Sequence, residues 1–99
     1  MIDVEPWQPA CAEYFRDFTE GLFDHAGQFW FIEREACIKI SPDRGDLVIG
    51  RAGCDGIEFC YRRGMSGVWA YYPIEGQHLL VARDLRAFEA GWKNGSITV

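Results

Sequence analysis

From Gly50 to Val99 the chain is a series of short apolar runs, each closed by a turn rich in glycine or carrying proline. Runs this short suit strands and compact helices and little else. Ile57, Phe59 and Tyr61 alternate with Glu58, Cys60 and Arg62, the period-2 pattern of a strand with two unlike faces. Gly53-Cys54-Asp55-Gly56 precedes it and reads as a tight turn, because its two glycines admit positive φ. Residues 63–67 turn the chain into a second strand over 68–72, which Pro73 ends or places at a sheet edge. Glu75-Gly76 is a further turn, and residues 77–82 make the next strand. Asp84 is a suitable N-cap for a helix over residues 85–93 with Leu85, Phe88 and Trp92 on one face. Asn94-Gly95 stops it, and residues 97–99 are expected as a short strand docked at a sheet edge.

The first half reads differently. Pro9 disfavours helix at Gln8. Cys11, Tyr14, Phe15, Phe18 and Leu22 then recur at three- and four-residue steps, which predicts an amphipathic helix over residues 10–25 with Gly27 as its stop. Residues 28–33 and 36–40 suit strands. Ser41-Pro42-Asp43-Arg44-Gly45 is a strong turn signal, and residues 47–51 form the strand after it. Turns this short favour antiparallel pairing. The expected fold is α+β, a mostly antiparallel sheet of 5–6 strands with an N-terminal and a C-terminal helix packed on it. A chain of 99 residues suits a single domain over residues 1–99.

Composition narrows the function classes. Ten Lys and Arg face fifteen Asp and Glu, a net charge of -5, which argues against nucleic acid and its need for clustered cations. Apolar runs are only a few residues long, so no membrane span is expected. The N-terminal residues carry acids where a secretory leader carries basic residues, so a cytoplasmic location is expected. Cys11, Cys37, Cys54 and Cys60 show no CxxC or zinc-ribbon spacing. Cys11, Cys37 and Cys60, among apolar neighbours, read as reduced small hydrophobes, and Cys54 in its glycine turn as an exposed thiol, with two disulfides as the alternative for an exported chain.

Candidate chemistry is sparse. The histidines are His25 and His78. His25 at the end of the first helix suits the helix dipole. Cys54 or Cys60 with His78 is the one conceivable thiol dyad, but no orienting third group follows at a diagnostic spacing. Residues 50–56 lack the Lys-Ser/Thr ending of a phosphate loop, and a strand follows them rather than a helix. Asp43, Asp46 and Asp55 do not make a calcium-loop pattern. No catalytic residue, metal ligand or cofactor is assigned. Two features stand out instead. Glu13, Asp17, Glu20 and Asp24 are spaced to share one face of the first helix, as a solvated face or as a contact for a basic partner. Aromatic residues fall on both sheet faces, so Trp30, Trp69 and Tyr71 are expected on the face that the helices leave open, either as an exposed patch or beneath a second layer made by the N-terminal lead-in with Trp7.

Residues 46–92 also resemble the SUKH superfamily of yeast cell-wall-synthesis regulators and bacterial toxin-immunity proteins. The resemblance rests on Leu47-Val48-Ile49-Gly50 leading into Gly53-Cys54-Asp55-Gly56, then on Ile57-Glu58-Phe59-Cys60-Tyr61 ending in a basic-glycine turn. Val68-Trp69-Ala70-Tyr71-Tyr72 follows, and Leu80-Val81-Ala82-Arg83-Asp84 then runs into Leu85-Arg86-Ala87-Phe88-Glu89. It implies an α+β fold, no catalytic residue and a role in protein binding, which in immunity members means blocking toxins, often nucleases.

The leading expectation is therefore a non-enzymatic interaction module, of immunity type, that binds a basic protein such as a toxin through Glu13, Asp17, Glu20, Asp24, Trp30, Trp69 and Tyr71. The alternative is a small-molecule binder or small enzyme with a pocket between sheet and helices, using Tyr61, Arg62 and His78 with Tyr71 beside them and Cys54 as a remote nucleophile candidate. A homodimer that turns the open sheet face on itself is the third reading.

Overall fold

The turns set the topology. The computed structural model describes residues 2–99. A five-stranded antiparallel meander runs in sequence order through β3 (Lys39–Ile40), β4 (Leu47–Arg51), β5 (Glu58–Tyr61), β6 (Val68–Tyr72) and β7 (Gln77–Ala82). The turn between β4 and β5 holds Gly53 at φ 82° and Gly56 at φ 70°, backbone that a Cβ would strain. α2 (Leu85–Asn94) begins at Asp84, whose carboxylate accepts from the Ala87 amide at 2.8 Å, and ends at Gly95 in the left-handed region. The protein is thus an α+β fold built on an antiparallel sheet, with helices on one face.

That covered face is the core. Leu47, Ile49, Phe59, Tyr61, Val68 and Ala70 point into it from the sheet and are all buried. Phe88 meets Phe59 edge to face with ring centroids 4.7 Å apart, and Trp92 stacks on Phe31 at 5.2 Å. Each such ring stabilises the fold by about 1.5–3 kcal/mol through burial alone. Trp7 and Cys11 close the core from the N-terminal side.

The N-terminal half departs from the expected helix over residues 10–25. Glu5–Trp7 is one turn of 3-10 helix, and α1 spans only Ala12–Asp17. The chain then turns at Gly21, φ 73°, and continues as β1 (Leu22–Asp24), antiparallel to β2 (Phe29–Ile32). A Cβ at Gly21 would sit 2.6 Å from the Ile32 carbonyl oxygen, so the turn into β1 needs glycine at this close approach to β2. Tyr14, Phe18 and Leu22 satisfy the helical spacing and are packed into the core, but they are delivered by a short helix and a strand.

β1 and β2 form their own two-stranded sheet, in which β2 lies against β4. Gly50 makes this close approach feasible, since a Cβ there would collide with the Phe31 carbonyl oxygen. Residues 36–40, expected as one strand, divide into a 3-10 turn over Glu35–Cys37 and the two-residue β3. Residues 97–99 do not pair as a strand. Ile97 instead packs against Gly91 of α2 and donates its amide to the Gly91 carbonyl at 3.0 Å. No helix among the described residues is long and apolar enough to cross a membrane.

Candidate functional site

The sheet face opposite the helices carries the densest polar chemistry. β5 directs Glu58 and Cys60 onto this face, β6 directs Trp69 and Tyr71, and β7 directs His78 and Leu80, as the pairs Glu58–Tyr71–His78 and Cys60–Trp69–Leu80 require. The loop between β3 and β4 folds over it and contributes Arg44 and Asp46. Arg44 Nε donates to Asp46 Oδ2 at 2.8 Å, its Nη2 donates to Glu58 Oε1 at 2.7 Å, and its guanidinium lies 3.7 Å from the Tyr71 ring centre. His78 Nε2 is 2.6 Å from the same Asp46 oxygen.

Asp46 is buried, at 2 % exposure. Burial by itself would raise its carboxyl pKa, but the His78 and Arg44 hydrogen bonds outweigh burial and hold it below the ordinary carboxylate range. Cys60 is fully buried beside it. Burial pushes the Cys60 thiol far up, and the neighbouring Asp46 charge pushes in the same direction. Such a thiol is protonated at neutral pH and is a poor nucleophile as it stands, which speaks against a Cys60–His78 dyad. Cys54 lies exposed in the β4–β5 turn.

One margin of this face is open. β7 is an edge strand of six residues, and Leu79 and Leu80 on it are 50 % and 57 % exposed. In an antiparallel ladder alternate residues bond to one neighbour, so half of the β7 backbone groups point away from β6. Among the described residues no backbone group meets that outer edge. The opposite edge, β3, is only two residues long.

The acidic helix face expected from the sequence does not exist as one surface. Glu13, on α1, is turned inward: its carboxylate accepts from the Leu85 and Arg86 amides at 2.6 and 3.2 Å and caps α2. Asp17 pairs with Arg16 at the exposed end of α1. Glu20 lies in the turn beyond the helix. Asp24 is on β1 and accepts from the Gly27 amide and the Trp92 indole, each at 3.0 Å, bonds that hold its carboxyl below the usual range. The helix periodicity failed because the helix stops at Asp17.

The aromatic group is divided as well. Trp69 and Tyr71 share the open face of β6, half-buried, with Arg62 over Trp69 at 5.1 Å. Trp30 belongs to the other sheet, against Phe23 at 5.2 Å and under Arg34. Nor do Tyr61, Arg62 and His78 converge. Tyr61 points into the core, while Arg62 and His78 lie on the open side, and the space between sheet and helices is filled by Phe31, Phe59, Leu85 and Phe88.

Tyr61 retains one peculiarity. Its hydroxyl is buried without a hydrogen-bond partner among the described residues, and Tyr61 lines a surface groove of about 650 Å³ together with Pro9, Glu13, Met65 and Asp84. The residues that sequence reasoning missed are Arg44, Asp46 and Glu58 on the open face and the exposed pair Leu79–Leu80. Their one sequence signal was an Asp directly preceding a strand of buried apolar residues, which is too common to single out.

Comparison with family models, curated proteins and solved structures finds no match to this chain.

Proposed function

We propose that this protein is a non-enzymatic interaction module that accepts an extended strand of a partner protein along β7. The observation that carries this reading is the unguarded edge. Sheet edges are normally blunted by shortness, proline, charge or a covering segment. β3 is blunted by its length, but β7 has no proline and no Lys, Arg, Asp or Glu within Gln77–Ala82. Its one irregularity is a register shift near the end, where Val68 pairs with Ala82 and Trp69 with Leu80. The stretch Gln77–Leu80 is free of it. Added strands gain affinity from main-chain bonds and specificity from alternate side chains, here those meeting Leu80 and Trp69 on the open face.

A net charge of -5 favours a partner of net positive charge through long-range attraction during encounter. The resemblance of residues 46–92 to the SUKH superfamily supports an immunity-type role in which that partner is a basic toxin. The charge acts as a field of the whole molecule rather than through an acidic helix.

The test uses a basic strand-forming decapeptide of alternating valine and lysine, followed by amide chemical shifts. Perturbation centred on Gln77–Leu80, with at least tenfold weaker binding by Leu80→Lys, is expected. Perturbation elsewhere, or none at millimolar peptide, overturns the reading. Light scattering over a concentration series separates the other occupant: a dimer that Leu80→Lys dissociates assigns the edge to a second copy instead.

A further inference from the structure

Beneath the edge, and independent of what docks there, three potential metal ligands of three different kinds meet. Asp46 comes from the loop before β4, Cys60 from β5 and His78 from β7. One ligand atom from each, a carboxylate oxygen, a sulfur and a ring nitrogen, lie within 4.8 Å of one another. We propose that Asp46, Cys60 and His78 form a Zn²⁺ site on the open face of the sheet, with the fourth position taken by water.

The donor set selects the ion. One thiolate, one imidazole and one carboxylate suit the borderline-soft Zn²⁺ and are poor for Mg²⁺ or Ca²⁺, which take oxygen ligands. Three protein ligands and an open position make a site that can exchange its fourth ligand. Burial shields the ligands from bulk water: Cys60 is 0 % exposed, the Asp46 side chain 3 % and the His78 side chain, the most accessible of the three, 14 %.

Supporting contacts orient the ligands as metal sites require. Arg44 Nε holds Asp46 while its Nη2 holds Glu58, and the guanidinium rests on Tyr71. The Tyr71 ring in turn lies 4.9 Å from that of His78. The Arg44 charge is matched by Glu58, so it does not stand uncompensated against a dication. His78 Nε2 and Asp46 Oδ2 lie at hydrogen-bond distance, 2.6 Å, and a neutral imidazole with its proton on Nε2 donates it to the carboxylate there. On binding, the imidazole proton moves to Nδ1, the thiol proton leaves to solvent, and Zn–Nε2, Zn–O and Zn–S bonds replace that hydrogen bond. One proton is released per ion when His78 starts neutral.

The sequence pattern concealed this site. Its ligands are separated by 14 and 18 residues and come from three elements, so no short motif exists.

The experiment is titration of chelator-treated protein with Zn²⁺ by calorimetry and with Co²⁺ by absorption. One ion per chain is expected, with a thiolate-to-cobalt charge-transfer band and a rise in Tm on adding Zn²⁺. His78→Ala, a partly exposed position, should bind at least tenfold more weakly and lose the Tm rise. Cys60→Ser should abolish the charge-transfer band. Where that buried substitution prevents folding, His78→Ala and the wild-type cobalt spectrum decide. A double Cys37→Ser, Cys54→Ser variant, altered only at the exposed thiols, should bind as wild type. No uptake, affinity unchanged in His78→Ala, or binding lost in the double variant overturns the proposal.

Discussion

Two tyrosines at the same depth in the core make opposite demands on their hydroxyls. Tyr14 Oη donates to the Glu33 carbonyl at 2.7 Å, whereas Tyr61 Oη has no partner among the described residues. Tyr14→Phe should destabilise by about 1 kcal/mol, and Tyr61→Phe should stabilise by about 1 kcal/mol, because a buried unpaired polar group carries its full desolvation cost. Urea unfolding of both variants checks the contrast, and a destabilised Tyr61→Phe would mean that the groove delivers a partner to the hydroxyl. The same residues give a pH dependence. Burial raises both phenol pKa values well above the ordinary value. Above about pH 10 the unfolded chain loses these protons while the folded chain keeps them, so stability falls as pH rises. Each tyrosine contributes up to about 1.4 kcal/mol per pH unit, and Tyr61→Phe should flatten the alkaline limb of a stability-pH curve. No spacing rule could have told Tyr14 from Tyr61. Tyr14 was legible as part of an apolar stripe, Tyr61 was expected in a ligand pocket, and the partners of neither hydroxyl were legible.

At the scale of elements, α2 shows how local signals and distant contacts combine. Its start, stop and buried face were readable from Asp84, Gly95 and the spacing of Leu85, Phe88 and Trp92, since caps and helical periodicity act within a few residues. Its second cap was not. Glu13 reaches the Leu85 amide from 72 residues away in sequence, and a carboxylate at a helix N-terminus is favoured by bonding and by the dipole together. Glu13→Ala should cost about 1–3 kcal/mol by thermal or urea unfolding, comparable to or above Asp84→Ala at about 1 kcal/mol. A change below about 0.5 kcal/mol would show the contact to be a surface one. α1 teaches the reverse. Its apolar spacing satisfied a long helix, yet β1 delivers Leu22 to the same core, because helical and extended segments can both bring a residue to one packed surface. Gly21 marks the change, and its reason is the backbone of β2 across from it. Gly50→Ala should therefore be severely destabilising, by more than about 3 kcal/mol or to the point of no folded protein, because β4 and β2 cannot both keep their places.

At the scale of the whole molecule, one sheet face is closed by helices and the other holds a buried charged cluster beside an open edge. A field set by -5 net charge makes any docking through that edge salt-dependent in rate. Association of the valine-lysine peptide should slow several-fold between low and physiological salt, with dissociation little changed, as stopped-flow measurement at two ionic strengths would show. The sequence by itself determined the antiparallel meander, its turns, α2 and most of the core. Period-2 alternation, glycine freedom and capping are properties of neighbouring residues, and they act before any distant contact forms. Only the tertiary structure decided where the first helix ends, that Trp30 stands apart from Trp69 and Tyr71, and that Glu13 faces inward. It also decided that Asp46, Cys60 and His78 meet. Those outcomes depend on strand register and on packing between segments tens of residues apart, where a shift of one residue sends a side chain to the opposite face.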